Sequence, residues 1–312
     1  MSIEFIALAV GAGLALSILG LALFAALTER QAEAFSPPAG RFIDVGGARL
    51  HYLDRGTGPA VVMVHGLGGN LRNFYELIDK LATTCRVVAV DRPGSGYSKM
   101  MFGEHPALRA QATIIAQFVH RLGLDRPLLV GHSLGGALSL ALALDHPDSV
   151  RALVLISTLS QVQREPPAAF KALHIRSATL QWLVAWTLMA PLGKLARRAT
   201  QKAVFAPELV PTGFDVASGA ALGLRPGSFI AACKDMTTVP NELAIMTPRY
   251  SSLTVPVDVI FGRQDPILDY RAHGERLVAA LPNAKMHVID GGHMIPVTAP
   301  DQIVTWIKRL AI

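Results

Sequence analysis

Leu128-Leu129-Val130-Gly131-His132-Ser133-Leu134-Gly135-Gly136-Ala137 is the stretch that decides the fold. Three apolar residues of strand type run into Gly-x-Ser-x-Gly, and Ala137 to Leu144 then continues as small and apolar residues of helical character. A strand that turns sharply into a helix forces its apex residue into strained backbone geometry, and flanking glycines remove the Cβ atoms that would clash. The hydroxyl of Ser133 then stands exposed at a helix start, where a nucleophile is useful. No other Gly-x-Ser-x-Gly occurs in the 312 residues.

Outward from this turn, apolar runs of strand length lie at Arg49 to Asp54, Ala60 to Val64, Arg86 to Val90, Leu128 to Val130, Ala152 to Ile156, Val257 to Phe261 and Lys285 to Ile289. Helical patterns fall between them at Asn73 to Ala82, Leu108 to Leu122, Leu134 to Asp145, Tyr270 to Ala280 and Asp301 to Leu310. Continuous apolar runs suit strands buried on both faces, and their alternation with helices predicts an α/β fold with a mostly parallel sheet.

The composition is 51% apolar and 17% charged, which provides for a sizeable core and excludes a disordered chain. Two cysteines, Cys85 and Cys233, make no disulfide framework, and no Cys/His spacing suits a metal. The net charge of +6 has no run of Lys/Arg with aromatics that would mark a nucleic-acid surface. Gly66-x-Gly68 and Gly94-x-Gly96 lack the third glycine of a dinucleotide fingerprint, and no phosphate loop occurs, so no nucleotide cofactor is implied.

No charged residue lies between Glu4 and Glu29, and Phe5 to Leu27 is long enough to cross a bilayer as a helix. A cleaved signal peptide is the rival reading, with Ala32-Glu33-Ala34 as the cleavage site. The first residues carry no Lys or Arg, the apolar stretch exceeds the usual length of about 7 to 15, and Glu29-Arg30 separates it from the site. The expectation is therefore a retained single-pass anchor over residues 1–30 and a Pro-bearing linker over 31–40. Arg30, Arg41 and Arg49 follow the span and weakly favour a cytoplasmic soluble domain. Ala9, Gly13 and Ser17 form a small-residue stripe that offers a face for a homodimer.

Thr158 to Pro240 breaks the strand–helix rhythm and is too long for a structureless loop, so residues 158–240 are expected to form a helical cap on a core of 41–157 and 241–312. One helix is expected at Lys171 to Met189. The cap holds nine basic side chains against four acidic ones, nearly the whole net charge. A basic, Trp-bearing cap on a tethered domain suits anionic lipid headgroups, although a solvated surface accounts for the same charges.

The strand–elbow–helix around Ser133, in this setting, resembles the α/β-hydrolase fold family over essentially all of Arg41 to Ile312. The resemblance implies an eight-stranded sheet and the chain order nucleophile, acid, histidine. His293, in Asp290-Gly291-Gly292-His293, follows a strand on a permissive loop and fits the base better than His287, His273 or His174. Asp265 follows the strand Val257 to Phe261 by a short turn, where the family places its acid; Asp258 lies within the strand and Asp269 reads as a helix N-cap. Backbone N–H groups of Leu134 and of Leu67, in the family-like His65-Gly66-Leu67, would form the oxyanion hole. His65 would support that loop, and Asp91-Arg92-Pro93-Gly94-Ser95-Gly96-Tyr97-Ser98 resembles a scaffold turn of the family.

Serine at the elbow separates the chain from haloalkane dehalogenases and epoxide hydrolases, which use aspartate there, and all five tyrosines lie outside the cap. A Ser–His–Asp set implies acyl transfer through an acyl-enzyme. An apolar cap with Phe170, Trp182, Trp186 and Met189, together with an anchor, makes the chain similar to membrane-anchored monoacylglycerol-lipase-like esterases, with a hydrophobic acyl ester as substrate. Carbon–carbon bond hydrolysis, perhydrolysis and acyl transfer remain open within the enzymes, and a ligand-binding or scaffold protein outside them.

Overall fold

Ala60 to Val64 and Ala152 to Ile156 carry no polar side chain, and each forms a strand covered on both faces. In the computed structural model, which describes residues 2–163 and 165–311, the strands are β1 (Arg41–Val45), β2 (Ala48–Arg55), β3 (Ala60–Val64), β4 (Arg86–Val90), β5 (Lys99–Met100), β6 (Leu128–His132), β7 (Ala152–Ile156), β8 (Val257–Gly262) and β9 (Ala284–Ile289). Their order is β1-β2-β4-β3-β6-β7-β8-β9. The β1–β2 and β2–β4 pairs are antiparallel and the rest of the path is parallel. The sheet thus has nine strands rather than the expected eight, the addition being the two-residue β5, which pairs with β2. Such a short edge strand leaves no periodic trace in sequence.

The helices are α1 (Ile3–Phe35), α2 (Tyr75–Leu81), α3 (Leu108–Arg121), α4 (Leu134–Asp145), α5 (Ala178–Trp186), α6 (Met189–Phe205), α7 (Phe214–Ala217), α8 (Pro226–Met246), α9 (Arg276–Ala280), α10 (Ile295–Thr298) and α11 (Pro300–Ala311). Strand alternation sorts the core into two layers. In β3, Val62 and Val64 face the cluster shared with α3 and α4, whereas Val61 and Met63 face the one shared with α2 and α11. Helix α4 is apolar all round and buried from Leu134 to Ala143, as expected of a helix behind a central strand. Each fully buried Leu there contributes about 1.5–3 kcal/mol.

Three expected boundaries move. Helix α1 runs on to Phe35, so the linker shortens to residues 36–40. Ala32 is buried, Glu33 pairs with Arg225 and the Tyr97 hydroxyl donates to the Ser36 carbonyl, which hold the last turn in place until Pro37 and Pro38. The expected helix Lys171 to Met189 divides into a 3-10 segment (Ala168–Leu173) and α5, because Ser177 caps a new start by accepting from Leu180 N–H. The expected cap boundary at residue 240 falls inside α8, whose Phe229 and Cys233 pack with Ala185 of the cap while Val239, Leu243 and Met246 join the sheet's core. One helix therefore spans both layers. Among the described residues, no strand interrupts the segment between β7 and β8.

Candidate active site

Ser133 sits between β6 and α4 with φ 54° and ψ −118°, a sparsely populated positive-φ conformation that costs a non-glycine residue about 1–3 kcal/mol. The surroundings over-determine it. Ser133 N–H donates to the Ile156 carbonyl at 3.0 Å, and its own carbonyl accepts from Gly136 and Leu159. A Cβ on Gly131 would lie 2.5 Å from the Gly135 carbonyl oxygen, and one on Gly135 would press into the Val64 carbonyl. The glycines of the elbow are thus required by the close approach of β6, α4 and β3, as the sequence predicts.

Asp265 and His293 meet at the ends of β8 and β9. His293 Nδ1 lies 2.8 Å from Asp265 Oδ2, and both side chains are buried. Asp265 Oδ1 accepts from the N–H groups of Ile267 and Leu268 at 2.8 and 2.9 Å. Burial alone would raise the Asp265 pKa, but His293 and those two N–H groups outweigh it and hold the carboxyl below its ordinary range. An anionic Asp265 fixes the proton on Nδ1, so Nε2 is the nitrogen left to accept from a hydroxyl. His293 and Ser133 line the same cavity, of about 420 Å³. Its walls are apolar and come mainly from the cap: Phe170, Leu173, Val184, Leu188, Met189, Leu192, Phe205 and Phe229. A second cavity, of about 530 Å³, shares Ser133, Leu67 and Phe170 and is more polar, with Gln163, His174, Thr237 and Asn241.

Leu67 and Leu134 line that second cavity beside Ser133. Among the described residues neither backbone N–H meets a protein acceptor, and a Cβ on Gly66 would sit 3.0 Å from Ser133 Cβ. The loop before Leu67 is clamped. His65 Nδ1 donates to the Gly66 carbonyl at 2.8 Å and Nε2 accepts from Arg92 N–H at 3.0 Å, while burial first and Arg92 second push its pKa down to about 4. Arg92 also donates to the His65 and Gly66 carbonyls. Its remaining donor pairs with Asp235 of α8 at 2.9 Å, a fully buried ion pair that Gln111 and His105 complete. Asp235 falls to about 2, because Arg92 and His105 outweigh the burial penalty. Asp91 acts as the expected scaffold, accepting from Leu71 and Tyr97 N–H groups and pairing with His51.

The rivals are engaged elsewhere. His287 contacts Asp258 at 3.2 Å and stacks on Trp306; Asp269 caps Ala272 N–H; His273 packs against Ser160. His174 is exposed on the cap and lines the polar cavity without joining the Asp265–His293 pair. Three contributors were not foreseen in the sequence. His132 Nε2 donates to the His293 carbonyl at 3.0 Å, its ring 4.9 Å from that of His293, and burial followed by the neighbouring His293 pushes its pKa to about 3. Asp235 completes the clamp on the Leu67 loop from the cap side. Glu208 offers both carboxylate oxygens to Gly292 N–H, each at 3.0 Å. Only the variable position beside Ser133 marked His132 in sequence, and nothing local marked the other two.

A family model described as alpha/beta hydrolase fold matches residues 59–300. A 2-hydroxy-6-oxononadienedioate/2-hydroxy-6-oxononatrienedioate hydrolase of Burkholderia vietnamiensis is 32% identical over 251 residues, which cover 77% of this chain and 82% of that protein. Haloalkane dehalogenase 2 of Mycobacterium tuberculosis is 26% identical over 301 residues, covering 87% and 94% respectively. Among solved structures, a bacterial membrane phospholipase A shares the fold with a TM-score of 0.66 at 20% identity, covering 99% of this chain and 97% of its own. With the sheet, the elbow and a family model that spans more than half of its length in agreement, the chain belongs to the α/β-hydrolase fold family.

Proposed function

We propose that this chain is a membrane-anchored serine hydrolase that cleaves carboxylic esters of apolar acyl groups. The carrying observation is the Asp265–His293 pair beside Ser133 in one apolar cavity. His293 Nε2 takes the Ser133 proton as Oγ attacks the ester carbonyl; the N–H groups of Leu67 and Leu134 hold the oxyanion; His293 then protonates the departing alkoxide. Water, deprotonated by the same nitrogen, releases the acid and restores Ser133. The acyl chain occupies the apolar cavity, and the more polar cavity receives the alcohol. Helix α1 is long and apolar enough to cross a membrane, and it serves as a single-pass anchor with the hydrolase domain on the cytoplasmic side.

The test is fluorophosphonate labelling of the detergent-solubilised protein beside Ser133→Ala, with hydrolysis rates on p-nitrophenyl esters from acetyl to palmitoyl. The expected result is labelling lost in the variant, a fall in kcat of about 10⁴-fold or more, and rates that rise toward longer chains. Absence of labelling in the folded protein overturns the mechanism; activity on short esters alone overturns the apolar substrate. Carbon–carbon bond hydrolysis is the second reading, favoured by the relative that is 32% identical. A ring-fission dienoate turned over faster than every ester would select it.

A further inference from the structure

Residues 2–20 of α1 are exposed, and contact with the rest of the molecule begins at Leu21, continuing through the buried Ala25, Thr28 and Ala32. A helix needs about 20 residues to cross the hydrocarbon of a bilayer, so a span that starts at Ile3 ends near the level where that contact starts. The cap therefore meets the membrane surface by geometry. At that level lies α6, whose Lys194 ammonium sits 4.7 Å from the centre of the Phe24 ring.

Helix α6 has four basic side chains and no acidic one. Its exposed positions divide into two rows at helical spacing: apolar Leu192, Leu195, Ala196, Ala199 and Ala203, and basic Lys194, Arg198 and Lys202. Leu195 is 83% and Leu192 55% exposed, and Trp182 of the adjoining α5 is 56% exposed. A packed helix hides its apolar row; this one presents it beside a basic row, the pattern of a helix lying in a lipid interface. Leu188 and Leu192 are exposed and also line the apolar cavity beside Ser133. The cavity rim is thus part of the same patch.

We propose that the outer face of α5 and α6 is a lipid-contacting surface, seated in the headgroup region of an anionic bilayer, so that the apolar cavity is filled from the membrane. This rests on α1 spanning the bilayer, as proposed above, and is independent of the ester chemistry. The Glu33–Arg225 pair and the Tyr97–Ser36 bond tie the end of α1 to cap and core and set the height of the face.

A location probe tests it without turnover. Cys85 and Cys233 are buried, so an environment-sensitive fluorophore on Leu195→Cys reports selectively. The control is the same label on Asp125→Cys, an exposed site that precedes β6 at the strand end remote from the cap. The full chain is reconstituted into phosphatidylcholine vesicles with and without phosphatidylglycerol, carrying lipid spin-labelled near the headgroup. The expected result is about two-fold or greater quenching at position 195, none at 125, and weaker quenching without phosphatidylglycerol or with Lys194→Glu/Arg198→Glu. Protein that floats with vesicles while position 195 stays unquenched overturns the proposal and leaves the anchor standing. Shielding of 195 that lipid quenchers do not reach assigns the face to a second protein copy and overturns it too. Failure to float overturns the anchor and this surface together, and the fluorophosphonate result is untouched by any of the three.

Discussion

The sheet and the cap of this molecule are built by opposite rules. Around the sheet, two clusters fill both faces with fully buried aliphatic side chains, and α4 has hardly an exposed atom. In the cap, a small cluster of Ala185, Phe229 and Cys233 and isolated side chains such as Phe205 and Leu222 are buried, while Leu180, Trp182, Leu183, Leu188, Leu192 and Leu195 remain exposed. The sheet spends its apolar residues on stability and holds Ser133, Asp265 and His293 at its strand ends. The cap leaves them facing outward, with Leu188 and Leu192 also lining the cavity beside Ser133, so the two layers should respond differently to the same perturbation.

Acid should separate them most. His65, His132 and His273 are buried in or against the core, and burial in each case holds the pKa down, to about 4, 3 and 4. In the unfolded chain they bind protons near pH 6.5, so between about 6.5 and 4 the unfolded state binds more protons and stability falls as pH falls. Each contributes a slope of at most about 1.4 kcal/mol per pH unit, so three together would remove a large part of a typical stability of about 5–15 kcal/mol over that window. Thermal melts followed by circular dichroism from pH 7 to 4 should show it. A Tm that stays flat over that range would mean these rings are charged or solvated in the folded state.

Next in size is the junction between the layers. Removing one partner of a buried ion pair leaves an uncompensated charge, so Asp235→Ala should cost about 3–5 kcal/mol, whereas Arg92→Leu/Asp235→Leu should recover much of it. Activity should not recover in the double variant, because Arg92 also holds the carbonyls of His65 and Gly66 before Leu67, the proposed oxyanion donor. Denaturant melts and kcat together read the two effects. Full recovery of kcat would show that the clamp on the Leu67 loop is dispensable. Within single layers, Leu153→Ala in β7 should cost about 2–5 kcal/mol and Trp182→Ala in α5 about 0.5 kcal/mol or less. Comparable losses would mean that the cap's exposed face is covered in solution.

Legibility from sequence followed the same division. The bounds of β3, β4, β7 and α4 were readable because a strand or helix buried on all sides is apolar at nearly every position. The placement of Ser133, Asp265 and His293 just past strands was readable because the turn chemistry there is local. The course of α8 through Pro240, the last turns of α1 and the strand β5 depend on partners far along the chain. Arg92 and Asp235 are 143 residues apart, and Glu208 and Gly292 are 84 apart. Contacts of that range leave no periodicity, so the clamp on the Leu67 loop and the support of the His293 loop emerge only once the chain is folded.

The finest contact between cap and sheet is open to a kinetic test. Glu208, between α6 and α7, accepts from Gly292 N–H, and Gln264 accepts from Gly291 N–H at 2.7 Å, so the loop before His293 is held from both sides. Glycine is needed there because a Cβ on Gly292 would drive into the Ala206 carbonyl. A charge-assisted acceptor contributes more than a neutral one, so Glu208→Ala should lower kcat by about ten-fold and Glu208→Gln, which keeps an acceptor oxygen, by a few-fold. KM should hold, since Glu208 holds the loop before His293, the proposed base, and does not line the apolar cavity. A purely structural role would lower Tm in both variants and leave kcat per folded molecule unchanged. Rescue of kcat by glutamine over alanine, at constant KM, would show instead that the cap reaches the base through a single backbone N–H.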